Sequence, residues 1–336
     1  MWNMNSRNML EMKNVHCYFD TARGLIRAVD GVSLSIGEGM TLGVVGESGS
    51  GKSQSALAVL KLFEKNQRIY DGEIWFEGEK ISEYDAQSMY KIRGNKISMI
   101  FQEPMTSLNP VFTIGRQLSE VLLLHQGMTG AMAHLRSIEM LEAVKIPNAR
   151  QLIRQYPHQL SGGMRQRVMI AIALSCKPKL LIADEPTTAL DVTIQAQILR
   201  LMNDLKAEFN TAIMFITHDL GVINQMADEV AVMYCGQVVE VALVDHIFKP
   251  VTEYSHPYTE ALLTSIPMLS GTQGTRLDAI PGAVPHPLDL PKGCRFAPRC
   301  KYRTSRCDEE VPELKKVSDE QSVRCFYPRK GVRSNG

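Results

Sequence analysis

Gly46-Glu47-Ser48-Gly49-Ser50-Gly51-Lys52-Ser53 decides the fold. It fits the pattern G-x-x-x-x-G-K-[ST]. It follows the continuous apolar run Thr41 to Val45 and opens the helical pattern Lys52 to Phe63. A strand that passes through a glycine-rich turn into a helix is a phosphate cradle. The glycines let backbone N–H groups turn inward without side-chain clashes, and the helix N-terminus adds its positive end. Gly46, Ser48, Gly49, Ser50, Gly51, Lys52 and Ser53 are therefore the expected contacts of a nucleoside triphosphate. Lys52 should reach the β- and γ-phosphates, and the Ser53 hydroxyl should bind Mg²⁺.

Outward from this loop, short apolar strands alternate with helical patterns. Residues 32–36, 72–76, 96–101, 180–183, 211–216 and 230–233 read as strands. Residues 115–176 read as mostly helical. Val192 to Phe209 is amphipathic, with Ile194, Ile198, Leu201, Met202 and Leu205 on one face. The alternation predicts an α/β fold with a largely parallel sheet. In such folds ligands bind at the carboxyl ends of the strands. Four polar residues fall at those ends. Asp184 and Glu185 close the strand Leu180 to Ala183, Gln102 follows the strand 96–101, and His218 follows the strand 211–216. Asp184 is the expected Mg²⁺ ligand, with Ser53 and Gln102. Glu185 is the expected general base for the attacking water, with Gln102 to sense it and His218 to contact the γ-phosphate.

Ser161-Gly162-Gly163-Met164 opens another helix just ahead of the acids. Ser161 suits an N-cap, and a Gly-Gly start leaves bare N–H groups facing outward, which suits an incoming phosphate. In this order and spacing, Gly46–Ser53, Ser161–Met164 and Asp184-Glu185 resemble the ATP-binding cassette (ABC) family over roughly residues 10–250. Glu47–Gln54, Phe101–Pro110 and Ser161–Ala171 are similar to the ATPase subunits of bacterial oligopeptide and dipeptide importers, as is Pro291–Cys300.

The resemblance implies an ABC-type P-loop ATPase with a RecA-like core, an antiparallel β subdomain and a helical subdomain at about 103–176. The nucleotide-binding domain would span 1–250, and a C-terminal extension 251–336. It implies that Ser161, Gly162, Gly163, Gln166 and Asp191 act across a dimer on ATP held by another subunit. It also implies that Gln54 joins the ATP contacts and that Phe19 stacks on adenine. The implied partners are a second ATPase subunit, of paralogous sequence, two membrane permease subunits and, indirectly, an extracytoplasmic peptide-binding protein. The implied place is the cytoplasmic face of the bacterial membrane, and the implied activity is ATP hydrolysis that powers peptide import. An importer of nickel or another small solute, or a soluble ABC ATPase, would share the same motifs.

The tail poses a separate question. Cys294, Cys300, Cys307 and Cys325 follow C-x5-C-x6-C-x17-C. A zinc site ordinarily uses C-x2-C pairs, and none is present. The wider spacing favours an iron–sulfur cluster of the [4Fe–4S] type, with zinc or plain thiols as the alternatives. The expectation is a small Cys-rich domain on a Gly/Pro-rich linker. Residues 292–336 carry 12 Lys/Arg and 6 Asp/Glu, so the tail holds +6 and the remainder −5. Cys17, Cys176 and Cys235 lie in strand or helix contexts and are expected to be buried structural residues.

Composition limits the rest. The 336 residues are 44% apolar, and the net charge is +1, which gives no electrostatic ground for nucleic-acid binding. Glu11, Lys13 and Asp20 interrupt any apolar leader. No stretch nears the roughly 20 apolar residues of a membrane helix. The expectation is a chain that reaches a membrane only through partners.

Overall fold

The computed structural model describes residues 8–102, 107–188, 190–248, 254–265 and 280–330. Fourteen strands are numbered in chain order: β1 Asn8–Thr21, β2 Gly24–Gly37, β3 Thr41–Val45, β4 Gln67–Phe76, β5 Glu79–Lys80, β6 Ile97–Ile100, β7 Leu180–Asp184, β8 Ala212–Ile216, β9 Glu229–Tyr234, β10 Gln237–Leu243, β11 Tyr254–Ser255, β12 Lys315–Ser318, β13 Gln321–Val323 and β14 Arg329–Lys330. The central strands β3, β7 and β8 are buried at every residue. That explains their continuous rather than alternating apolar pattern.

The main sheet runs β12-β13-β10-β9-β3-β8-β7-β6. Its β6, β7, β8, β3 and β9 pair in parallel. The carboxyl ends of β3, β6, β7 and β8 therefore bring Gly46, Gln102, Glu185 and His218 to one edge of the sheet. A second sheet, β2-β1-β4-β5, is antiparallel throughout and, with helix Lys52–Leu60, shares a core with one face of the main sheet. Helices Ile114–Gln126, Gly130–Ala143, Ala149–Leu152 and Gly162–Leu174 follow between β6 and β7. Helix Val192–Phe209 has the bounds its apolar face predicts. Helix Lys52–Leu60 stops short of Phe63 because Lys61 turns left-handed, at φ 50°. The Lys61 N–H closes the helix onto the carbonyls of Leu57 and Ala58.

The extension is built into this framework. β13 pairs antiparallel with β10, Glu240 opposite Val323, and β12 adds outside β13. Tyr258, on helix Pro257–Thr264, is wholly buried against Tyr234 and Phe296, with ring centroids 4.7 and 5.4 Å away. Each such buried ring contributes roughly 2–3 kcal/mol of hydrophobic stabilisation. Buried Glu240 accepts the His256 backbone N–H at 2.8 Å and the Gln321 amide at 2.7 Å. Burial raises Glu240 to about 7 and pushes His256 down to about 3. Residues 266–279, where much of the expected linker falls, lie outside the described residues. Among the described residues no helix is long and apolar enough to cross a membrane.

Candidate functional site

The phosphate loop wraps its own lysine. Buried Lys52 donates from Nζ to the carbonyls of Gly46 at 2.8 Å and Glu47 at 3.0 Å. Burial lowers its pKa against the raising effect of Glu185, Asp184 and Glu47. Gly46 has φ 154°, and a Cβ there would lie 2.2 Å from the Met233 carbonyl oxygen. No other residue fits at that position. Ser53 donates to Asp184 at 3.0 Å, so hydroxyl and carboxylate already face one another as a Mg²⁺ pair would. Burial pushes Asp184 above the usual carboxylate range, with Glu185 adding to the shift while Ser53 and Lys52 oppose it. A dication would reverse that balance.

Glu185 occupies a strained position. Its φ is 46°, in the left-handed region that few residues with a Cβ adopt, and its N–H is tied to the Ile216 carbonyl at 2.9 Å. Three side chains converge on the carboxylate: Gln102 at 3.1 Å, Thr188 at 2.9 Å and His218 at 3.2 Å. Burial would raise this acid. The hydrogen bonds from Thr188 and His218, with the charges of His218 and Lys52, outweigh burial and hold it below the ordinary range. The group is ionised at neutral pH. It is therefore suited to orienting and polarising a water more than to holding a proton.

Of these residues, Lys52, Ser53, Gln102 and Glu185 border a cavity of about 530 Å³. Ser48 through Gln54, with Gln102 and Glu185, line its phosphate side. Ile26, Arg27, Ala28, Cys235 and Gly236 line another part. Gln54 also accepts from Gln67 at 2.7 Å. Phe19 is half-buried and pairs in register with Ile26, but it is not among the lining residues. Sequence reasoning gave no role to Thr188. Its only signal was a hydroxyl three residues past the acid in a turn-forming stretch.

Ser161, Gly162, Gly163, Gln166 and Asp191 also stay outside this cavity. Ser161 caps helix Gly162–Leu174, accepting the Met164 N–H at 3.3 Å, and Ser161 and Gly162 are exposed. A Cβ on Gly163 would sit 2.9 Å from Ile194 Cγ2, so this glycine lets the two helices approach. Asp191 is exposed and caps helix Val192–Phe209 through the Ile194 N–H at 2.9 Å. Gln166 is buried, and its Nε2 has no hydrogen-bond partner among the described residues.

In the extension, Cys294, Cys300, Cys307 and Cys325 all border one small cavity beside His256 and Phe296. Burial raises Cys294 to about 11 and raises Cys300 and Cys325 as well. Among the described residues no group of three or more His, Cys, Asp or Glu is arranged to hold a metal ion. Cys17 and Cys235 are buried as expected, whereas Cys176 is only half-buried.

Comparison with known proteins agrees with this geometry. The family described as ABC transporter matches residues 29–188, and the one described as oligopeptide/dipeptide transporter, C-terminal region, matches residues 239–307. The oligopeptide transport ATP-binding protein AppD of Bacillus subtilis is 54% identical over 326 residues, which cover 96% of this chain and 98% of that protein. OppD of Haemophilus influenzae is 50% identical, over 95% and 97% of the two chains. OppD of Escherichia coli is 49% identical, over 95% and 93%. Among solved structures, the dimeric post-hydrolysis state of the ATP-binding cassette MJ0796 with ADP and phosphate superposes with a TM-score of 0.64 at 30% identity. It covers 70% of this chain and 99% of that one.

Proposed function

The chain belongs to the ABC transporter family as an ATP-binding subunit of the oligopeptide-importer group, and from that premise we propose how its residues power peptide import. ATP lies along the loop Gly46–Ser53, with Lys52 on the β- and γ-phosphates. Ser53, Asp184 and Gln102 would hold Mg²⁺, which would neutralise charge developing on the phosphoryl oxygens. Glu185 orients the attacking water, and Thr188, Gln102 and His218 fix its carboxylate. Ser161, Gly162 and Gly163 of one subunit cap the triphosphate held by its mate. Closure of the pair drives two membrane permeases toward the outward-facing state, and hydrolysis resets them. The chain would sit on the cytoplasmic face of the membrane.

One observation carries this reading. Lys52, Ser53, Gln102, Asp184, Glu185 and His218 meet at one sheet edge, while the exposed Ser-Gly helix start lies outside the cavity that Lys52, Ser53, Gln102 and Glu185 line. The test is reconstitution. The chain should co-purify with two polytopic membrane proteins and a second ATPase subunit. In vesicles this assembly should hydrolyse ATP faster when the extracytoplasmic protein delivers peptide. Stimulation by a nickel complex or another small solute, with none by peptide, would move the chain to a sister importer.

The four extension cysteines are proposed to hold a [4Fe–4S] cluster. Each thiolate of such a cluster binds a different iron, so the sulfurs stand farther apart than around a single ion. Support for this reading comes from the four thiols that border one cavity. The largely buried Arg324 interacts electrostatically with Cys294 and would offset part of the negative charge. When bound, the group would supply a covalent staple between the segments that carry the four cysteines. Anaerobically purified protein should show broad absorption near 400 nm, with about four irons and four sulfides per chain. One zinc per chain and no iron would rule this out.

A further inference from the structure

The nucleotide cavity has a wall that the cassette alone does not supply. Beyond the phosphate loop and β2, its lining is completed by Val284, Pro285, His286, Pro287 and Leu290 of the extension. The phosphate side is accounted for by the loop and the strand-end acids. The remaining surface, Ile26, Arg27, Ala28, Cys235 and Gly236 with these five residues, is mostly apolar and carries one guanidinium and one imidazole. That is chemistry for a purine face and a ribose, not for phosphates. Phe19, the residue expected on adenine, does not line this space. The His286 ring is itself positioned, because its Nδ1 accepts the Leu288 N–H at 3.2 Å.

A single side chain fastens this wall to the phosphate loop. Arg299, with its side chain 4% exposed, forms a two-pronged ion pair with Glu47: Nη1 to Oε2 at 2.6 Å and Nη2 to Oε1 at 3.1 Å. Its Nε donates to the Pro281 carbonyl at 3.0 Å and its Nη2 to the Ile280 carbonyl at 3.4 Å, at the start of the wall segment. Glu47 is the second residue of the phosphate loop. Its backbone N–H donates to Tyr258 Oη, also in the extension, at 2.9 Å. A second arginine, Arg295, reaches Asp30 and the Cys235 carbonyl, next to the lining residues Ala28 and Gly236.

We infer that the extension is part of the nucleotide site: Val284–Leu290 forms the surface against which base and ribose pack, and Arg299 holds that surface to the phosphate loop through Glu47. The inference rests on the reading of the cavity as an ATP site. It makes the extension a contributor to affinity and base selection within the same chain, separate from its role near the cysteines.

Titration calorimetry on the full chain tests it, with Mg-ATP and Mg-tripolyphosphate as probes. The double variant His286→Ala/Leu290→Ser should bind ATP about tenfold more weakly, the loss of one stacked surface. Its tripolyphosphate affinity should change less than twofold. Arg299→Lys keeps the charge but loses the fork, and should weaken both probes severalfold, because it loosens Glu47 as well as the wall. Melting curves matching wild type would show that both variants fold. Unchanged ATP affinity in the double variant would overturn the inference. So would tighter binding, which would make the segment a plug, and so would equal loss of both probes. Failure of the wild-type chain to bind ATP would instead strike at the ATP reading itself.

Discussion

Glu185→Gln should hold ATP and all but stop turning it over. The substitution keeps the shape and most hydrogen-bonding capacity of the side chain while removing its charge. In the wild-type chain that charge is maintained by Thr188, Gln102 and His218 against the cost of burial. A neutral amide cannot polarise the attacking water, so phosphate release should fall by about 10²–10⁴-fold, the range for loss of a general base. ATP affinity should not fall, because a negative group beside the γ-phosphate has gone. Elution from a sizing column should therefore shift toward a dimer when Mg-ATP is present. Phosphate release within a few-fold of wild type would remove Glu185 from its assigned role. The strained backbone at this residue has a matching consequence. A side chain held at φ 46° by the Ile216 carbonyl has little freedom to drift, so a shorter acid would not reach the same water.

The second large effect lies far from the phosphate loop along the chain. Ser161→Arg should leave ATP binding to the isolated chain within about threefold of wild type and lower hydrolysis by at least about 10²-fold. Ser161 and Gly162 are exposed and stand outside the cavity of their own chain. They therefore add nothing to the affinity of an unpaired subunit. Their helix start, with its outward N–H groups, stabilises phosphate only when it arrives from a mate. A bulky side chain there blocks approach, and a triphosphate capped on one side only lacks the donors that stabilise the transition state. Equilibrium binding with a fluorescent ATP analogue, alongside steady-state phosphate release, separates the two readouts. Loss of binding in step with hydrolysis would place Ser161 in its own chain's site. Normal hydrolysis would deny it any part.

Some of this was legible in the residues and some was not, for reasons that can be located. The phosphate loop, the strand-end acids and helix Val192–Phe209 are local patterns, and local patterns survive folding. β1 left no alternating signal because its pairing with β2 shifts register between Met12 and Val15. Asn14 takes φ 50° there, which swaps the inward and outward faces midway along the strand. β12 and β13 are short, and the edge strand β12 is exposed or half-buried throughout. The contact between Arg299 and Glu47 joins residues 252 positions apart. No spacing rule reaches that far. The tail's excess of basic residues does not say where they go: two of them, Arg295 and Arg299, anchor the extension to Asp30 and Glu47 of the cassette. The extension also looked like an appendage because its Pro and Gly content hides the strand that joins β10.

The most direct test of the account asks whether one chain's serine–glycine helix start meets another chain's phosphate loop. A photo-crosslinking amino acid placed at position 161 in the Glu185→Gln chain, with Mg-ATP present, should form adducts with peptides spanning residues 46–54. Mixing isotopically heavy and light chains tells adducts within a chain from adducts between chains by mass. The account predicts heavy–light adducts at that peptide, dependent on ATP. Adducts found only within single chains, or none there with ATP bound and hydrolysis blocked, would contradict it.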